Sequence, residues 1–213
     1  LAEQEVQPNQ MGMMMGGNSS DLNKLTAAWG LTYDGGRVVA DLRAATRVRT
    51  GDGRAERNVG WLSLRREQMS SAELATASLE FLMLPFAGAF SGQAAPGLTL
   101  VPLLQASPGA GYADALTMSM PAGGRPPTII AATNQQHIAV RLSGTFKTAF
   151  PDGAPRDPSD QAPNPPPAPP GLKESKQPGT VVLVGDVDLI YDRFAVERTP
   201  FFGREMVQMA NDN

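Results

Sequence analysis

The chain has 213 residues, 18 Lys and Arg against 21 Asp and Glu, a formal net charge of −3, one histidine and no cysteine. The length fits a single soluble domain, and the acidic balance argues against a nucleic-acid binder, whose docking face would be positively charged. Zero cysteines exclude disulfides, thiol nucleophiles and cysteine-ligated metal sites. With one histidine besides, a His-rich metal site is ruled out, and neither a metal nor another cofactor is expected.

The sequence contains no membrane helix, since no stretch approaches the ~20 consecutive apolar residues that such a helix requires. The most apolar run, residues 79–90, is interrupted by Glu80 and Pro85. Because the chain begins at Leu1 and its last residues resemble an unfinished helix, we interpret it as a domain excised from a longer protein. Targeting signals and membrane anchors of the parent are expected outside it.

A short amphipathic helix is predicted after residue 21. Leu22, Leu25 and Trp29 recur at helical spacing, and Gly30 follows at the position typical of a C-cap. The Ser-Ser-Asp sequence at 19–21 supplies N-cap side chains.

Several β-strands are predicted downstream of this helix. The Asp-Gly-Gly turn at 34–36 joins two β-rich runs, 31–33 and 37–41. Pro102 lacks a backbone N–H, so the run 98–104 is predicted to be an edge strand or to contain a bulge. Further candidate strands are residues 61–64, 79–84, 128–132 and 137–142.

A proline-rich segment divides the chain. Residues 151–178 hold ten of the nineteen prolines and few apolar side chains, which predicts a disordered loop or linker. The 35 residues that follow are too few to fold alone. We therefore expect residues 1–150 to form the main part of one domain and residues 179–213 to complete it with a strand and a helix.

The clearest predicted strand lies directly after that linker. Residues 180–184 are β-favouring and show no polar alternation, which favours burial on both faces, as in a parallel sheet covered by helices. Phe202, Met206 and Met209 recur at helical spacing and predict the helix that packs on this sheet. The order strand, loop, helix indicates an α/β layer architecture.

The strongest candidate site is Gly185-Asp186-Val187-Asp188, immediately after that strand. In open α/β sheets, ligands bind beyond the carboxyl ends of the strands. Asp186 and Asp188, together with Asp192, could bind a hard cation or act as an acid and base pair. The alternative is structural: Gly185 permits a tight turn and an aspartate caps the next segment.

Three other features could each be functional or structural, and for each the structural interpretation is favoured. His137 precedes a strand-like run, and no Gly-x-Ser-x-Gly elbow supplies a nucleophile for it. The Met-rich tract at 10–17 is interpreted as a lead-in to the first helix rather than as a metal tract. Eight arginines suit either a solvated face or an anionic ligand, namely residues 37, 43, 47, 49, 54, 57, 65 and 66.

Four blocks together resemble a known family. They are AAWGLTYDGGRVVADLRAATRV (27–48), LEFLMLPFAGAF (79–90), VRLSGTFKTAFP (140–151) and GTVVLVGDVDLIYDRF (179–194). Their order and spacing resemble the extracytoplasmic region of the gliding-motility-type auxiliary components of ABC transporters. The resemblance implies a flavodoxin-like or glutamine-amidotransferase-like α/β fold with helices on both faces of the sheet. It also implies a membrane-anchored parent that works beside a separate ATPase and permease.

The resemblance favours a non-catalytic role, because it supplies no catalytic residues and the sequence offers no reactive constellation. We expect a domain on the periplasmic side of the inner membrane that scaffolds the transporter or handles its substrate. Two alternatives stay open. One is a domain that binds a small anion or a carbohydrate beyond the strand 180–184, and the other is a metal-assisted hydrolase that uses Asp186 and Asp188.

Overall fold

A computed structural model describes residues 22–49, 53–119, 127–153, 171–201 and 204–211. Short helices and many strands make up this part of the chain. The helices are α1 (Asn23–Ala28), α2 (Ala115–Ser119) and α3 (Asp192–Ala195), with 3₁₀ helices at Arg66–Gln68 and Asp188–Ile190. The strands are β1 (Leu31–Tyr33), β2 (Arg37–Ala40), β3 (Ala45–Arg49), β4 (Ala55–Arg65), β5 (Phe81–Pro85), β6 (Phe90–Gly92), β7 (Leu98–Gln105), β8 (Gly111–Asp114), β9 (Ile130–Ala131), β10 (His137–Gly144), β11 (Gly179–Val184), β12 (Val196–Phe201) and β13 (Arg204–Met209).

The predicted α/β layer architecture is wrong, because every pair of neighbouring strands in the described residues is antiparallel. A parallel sheet needs long crossover connections, usually helices that cover its faces. Helices of four to six residues are too short for that role. The flavodoxin-like or glutamine-amidotransferase-like fold with helices on both faces is therefore replaced by packed antiparallel sheets.

The largest sheet has five strands and is organised around β10. β7 pairs with one side of β10, and β11 pairs with the other side from Ala139 to Gly144. On that same side, β6 meets only the first residue of β10, through His137 and Phe90, and then pairs with β1. Smaller sheets are β3-β4-β5, β2-β8-β9 and the hairpin β12-β13.

β11 is an edge strand rather than the buried central strand that was predicted. It has β10 on one side and stands at the end of the order of the described strands, and Val182 is 49% exposed. Its run of apolar residues reflects contacts with two different clusters. Leu183 packs towards Trp29 and Val140 on one face, while Val184 packs on the opposite face.

The predicted C-terminal helix is also wrong. Met206 and Met209 lie in β13, which pairs along its whole length with β12, and both side chains are exposed. Phe202 lies outside the described residues. This hairpin is attached to the body through α3, where Phe194 packs edge-on against Trp61 of β4 with the ring centroids 5.6 Å apart.

Other local predictions are confirmed. α1 forms where Leu22, Leu25 and Trp29 recur, although the proposed caps at 19–21 lie outside the described residues. The turn at 34–36 joins β1 and β2 as expected. Pro102 stands in β7 at a register irregularity, and apart from one bridge from Leu104 to Met69 this strand pairs only with β10 among the described residues.

The proline-rich segment is described only at its two ends. Residues 154–170 lie outside the described residues. On the C-terminal side, the N–H of Thr148 donates to the carbonyl of Lys173, and the N–H of Ser175 donates to that of Phe146. The backbone that leads into β11 therefore already lies beside the continuation of β10.

The core that supports β11 lies between the large sheet and α1. Leu31, Phe90, Val140 and Leu142 are buried there, together with Trp29. The Trp29 indole N–H also donates to the carbonyl of Lys147 at 3.1 Å. Each large apolar side chain that is fully buried contributes about 1.5–3 kcal/mol, so this cluster fixes α1 on the sheet.

Candidate binding cleft at the edge of β11

Gly185 holds the end of β11 against two other segments. Its N–H donates to the carbonyl of Ile138 at 2.9 Å, and its carbonyl accepts from the N–H of Gly88 at 2.8 Å and from the Tyr33 hydroxyl at 3.3 Å. A Cβ added at Gly185 would lie 2.6 Å from the carbonyl oxygen of Gly88. The glycine is thus required by a close backbone approach, which is a structural role other than the tight turn predicted for it.

The two aspartates that follow lie in different surroundings. Asp186 is 5% exposed and lines a cleft, whereas the half-buried Asp188 begins the 3₁₀ helix 188–190 and is not part of the cleft wall. Asp192 begins α3, and its side chain lies outside what the structure describes. Of the predicted site residues, the cleft wall therefore contains Gly185 and Asp186.

The cleft has a volume of about 380 Å³, at the small end of the ~300–1,000 Å³ range of ligand pockets. One wall comes from α1 with β1 and β6, and the other from β11 and the residues after it. The first wall consists of Leu22, Asn23, Thr26, Tyr33 and Phe90, and the second of Val182, Leu183, Val184, Gly185, Asp186, Val187, Leu189 and Ile190.

The cleft runs along the open edge of β11. Side chains of successive strand residues point to opposite faces, so a cavity on one face would be lined by every second residue. Here Val182, Leu183 and Val184 all line the same cleft. A cleft that meets residues from both faces reaches the edge of the strand, where the backbone N–H and C=O groups point.

The polar groups of the first wall already have partners in one of the two walls. The Asn23 side-chain oxygen accepts from the N–H of Tyr33 at 3.0 Å, and the Tyr33 hydroxyl donates to Gly185. The Thr26 hydroxyl donates to the carbonyl of Leu22 at 3.3 Å. The surface offered to a ligand is therefore largely apolar, with the Asp186 carboxylate at one end.

The arginine-rich segment lies away from this cleft. No Lys or Arg is among the described residues that line it. Arg57 donates to the carbonyl of Leu42 at 2.8 Å, Arg66 donates to the carbonyl of Leu79 at 2.9 Å, and Arg37 pairs with Asp34 at 3.2 Å. These side chains support turns and strands of the smaller sheets.

His137 is half-buried at the start of β10, opposite Gln105 and Phe90. Burial lowers the pKa of its imidazole, which favours the neutral form. It does not line the cleft, and the described residues contain no group of three or more His, Asp or Glu side chains that could hold a metal ion.

Two buried or half-buried carboxylates that the sequence did not single out have structural partners. Asp41 is almost fully buried and accepts hydrogen bonds from the N–H groups of Arg43, Ala44 and Ser107, at 2.8, 3.1 and 2.8 Å. Glu73 forms a two-pronged ion pair with Arg141 at 2.7 and 2.8 Å. Two of the Asp41 contacts are local, but Ser107 lies 66 residues from Asp41 and Arg141 lies 68 residues from Glu73. No local sequence signal could have identified these two long-range contacts.

Comparison with known proteins gives one result. A family model described as an ABC-type uncharacterized transport system matches residues 2–213. This match confirms the family resemblance of the four sequence blocks and does not extend to gliding motility. No curated protein and no solved structure matches the chain. Among the described helices, none has the length and apolar character that crossing a bilayer would require.

Proposed function

The chain belongs to the family of auxiliary components of ABC-type transport systems, and we propose that it is a non-catalytic scaffold on the extracytoplasmic side. Its cleft holds a polypeptide segment of the assembly. The observation that carries the proposal is the apolar cleft along the open edge of β11. A permease and an ATPase of the same system are its proposed partners.

The make-up of the cleft favours binding over catalysis. General acid and base chemistry needs at least two positioned titratable groups, and Asp186 is the one carboxylate among the described lining residues. The Tyr33 and Thr26 hydroxyls are bonded to main-chain carbonyls of the walls. A metal-assisted hydrolase centred on Asp186 and Asp188 is therefore not favoured.

The same lining disfavours a small anion or a carbohydrate. Anion sites use Arg, Lys or clustered backbone N–H groups, and this wall offers no cationic side chain in its described residues. Sugars bind on open aromatic faces, whereas Tyr33 and Phe90 are both more than nine-tenths buried in the core cluster. An extended apolar segment meets both the apolar walls and the backbone groups of the strand edge.

The experiment is to purify the full-length parent and measure how much permease and ATPase it retains, alongside transport in cells. Ile190→Glu places a charge at the rim of the cleft, at a side chain that is 77% exposed, so the fold is preserved. Leu74→Glu is the matched control, since Leu74 is 96% exposed and does not line the cleft. We expect Ile190→Glu to lose both retention and transport and Leu74→Glu to keep them.

A second pair of variants separates the scaffold from an enzyme. Asp186→Asn and Asp188→Asn retain shape but remove the carboxylate charge that hydrolysis would need. A scaffold uses neither carboxylate as an acid or base, so transport in each folded variant should follow the amount of permease and ATPase that it retains. Loss of transport in a folded Asp188→Asn protein, with Ile190→Glu unaffected, would favour the hydrolase and contradict the proposal.

The location has its own test, because the chain contains no cysteine. In the parent, Leu74→Cys creates a fully accessible thiol in this domain. Any cysteines elsewhere in the parent are first replaced. We expect a membrane-impermeant maleimide to label it in spheroplasts without lysis. Labelling only after lysis would overturn the extracytoplasmic assignment.

A further inference from the structure

The open edge of β11 carries an uninterrupted row of main-chain donors and acceptors. The N–H of Gly185 donates to Ile138, so residue 185 faces β10. In an antiparallel ladder the direction alternates, so Leu183 and Val181 also face β10. Thr180, Val182 and Val184 then direct their N–H and C=O groups away from β10, towards the cleft.

Within the part of the chain that the structure describes, this edge lacks three of the features that normally prevent strand addition, namely charge, proline and a bulge. Natural edge strands are protected by charged side chains, proline, bulges or a covering element. Residues 179–184 contain no charge and no proline, and the pairing of β11 with β10 has no register irregularity. Such an edge is a template for one more strand.

The charges that flank β11 favour an antiparallel partner of the same sequence. Before the strand stands Lys176, with Lys173 and Glu174 upstream, and after it stand Asp186 and Asp188. The leading end is therefore net positive and the trailing end net negative. Antiparallel pairing of two identical strands places the positive end of each beside the negative end of the other, whereas parallel pairing would place like charges together.

We infer that β11 pairs with β11 of a second copy of this chain about a two-fold axis at Val182. Thr180 of one copy then lies opposite Val184 of the other, and the two five-stranded sheets become continuous. Each strand enters the cleft of the other copy, where its β-branched side chains meet the apolar wall of α1 and β6. This inference rests on the proposed function, since it names the polypeptide that the cleft holds.

The experiment is sedimentation equilibrium of the 213-residue chain from micromolar to near-millimolar concentration. We expect a reversible monomer and dimer equilibrium. Val182→Pro removes a donor that faces the open edge and leaves the ladder to β10 intact. Because the two-fold axis counts this loss twice, the dissociation constant should rise about tenfold or more, with an unchanged circular dichroism spectrum. Val182→Thr keeps the N–H and the branched shape, and should remain dimeric.

Charge reversal tests the orientation. Lys176→Asp and Asp188→Lys each place like charges at both ends of the paired strands and should weaken the dimer. The double reversal restores opposite charges and should restore the dissociation constant towards that of the original chain. A single reversal that leaves the constant unchanged would contradict antiparallel pairing.

Other outcomes assign the edge differently. A monomer at every concentration overturns the inference, and so does a dimer that Val182→Pro does not weaken, which would form through another surface. If the chain is monomeric while Val182→Pro in the parent loses the permease, the added strand comes from another subunit and the proposed function stands. If the dimer forms but neither permease nor ATPase is retained, the proposed function fails and the pairing stands.

Discussion

Two of the edge strands of the large sheet, β7 and β11, differ in how they are protected. β7 carries Pro102, which lies opposite Val140, and its far side is partly covered where the N–H of Ser70 donates to the carbonyl of Leu103. β11 has no proline, no charge and no such cover in the described residues. The sequence of β7 therefore prevents further strand pairing at its edge, whereas the edge of β11 can accept another strand.

The largest expected effect is on the free energy of unfolding, and it should distinguish the central strand β10 from the edge strand β11. Leu142 is fully buried in β10, so Leu142→Ala should lower the free energy of unfolding by about 2–5 kcal/mol. Val182→Ala on β11 should cost less than about 1 kcal/mol, because that side chain is half exposed. Urea unfolding, at a concentration where the chain is monomeric, measures both. Equal losses would show that β11 is as buried as β10.

The next largest effect is a loss of stability that should differ between the two ends of β11. Gly185→Ala forces a Cβ against the carbonyl of Gly88, a backbone atom that cannot turn aside, and should cost about 1–3 kcal/mol. Gly179→Ala is the control at the other end, where the added Cβ would meet the Phe146 ring at an ordinary contact distance of 3.6 Å. Thermal melts of the two variants are compared. If Gly179→Ala is the more damaging, Gly185 does not hold the strand end.

The smallest effect concerns Arg141, which stands on β10 opposite Val101 of β7 and Val182 of β11. Its hydrogen bonds to Glu73 hold the pKa of that carboxyl below the ordinary value of 4.5. The folded state therefore binds the proton less tightly than the unfolded chain. The stabilisation is fully present above pH 4.5 and is lost as the pH falls through the lower, folded-state pKa.

Glu73→Gln tests this ion pair through the pH dependence of the melting temperature. The variant should be less stable than the original chain at neutral pH, and the difference should shrink on acidification. A difference that is the same at both ends of the pH range would mean that the charge of Glu73 contributes nothing.

Much of the local structure could be predicted from the sequence, whereas the sheet topology could not. β-branched runs and turn residues identified β1, β2, β7 and β10, and Pro102 identified an edge. The run 180–184 misled because continuous apolar character arises in a strand buried on both faces and also in an edge strand whose two faces touch different clusters. Distinguishing the two requires knowing the neighbouring strands, which are remote in sequence.

The sequence indicated only the part of the candidate cleft that lies next to β11. The rest could not be predicted, again because it depends on residues that are remote in sequence. Position after the strand singled out Gly185 and Asp186, which line the cleft, but the opposite wall comes from Leu22, Tyr33 and Phe90. These residues are about a hundred or more positions away, and no local pattern joins them to β11. The helix predicted from Met206 and Met209 failed because three- and four-residue spacings also occur by chance in an exposed hairpin.

Residue-resolved amide hydrogen exchange across β11, at a concentration low enough for a monomer, tests the open edge most directly. We predict protection of the N–H groups of Val181 and Leu183, which face β10, and rapid exchange of those of Thr180, Val182 and Val184. The second set should become protected as the concentration is raised. Equal protection of all five groups in the monomer would mean that another strand already covers β11, which would contradict both the edge and the partner assigned to it.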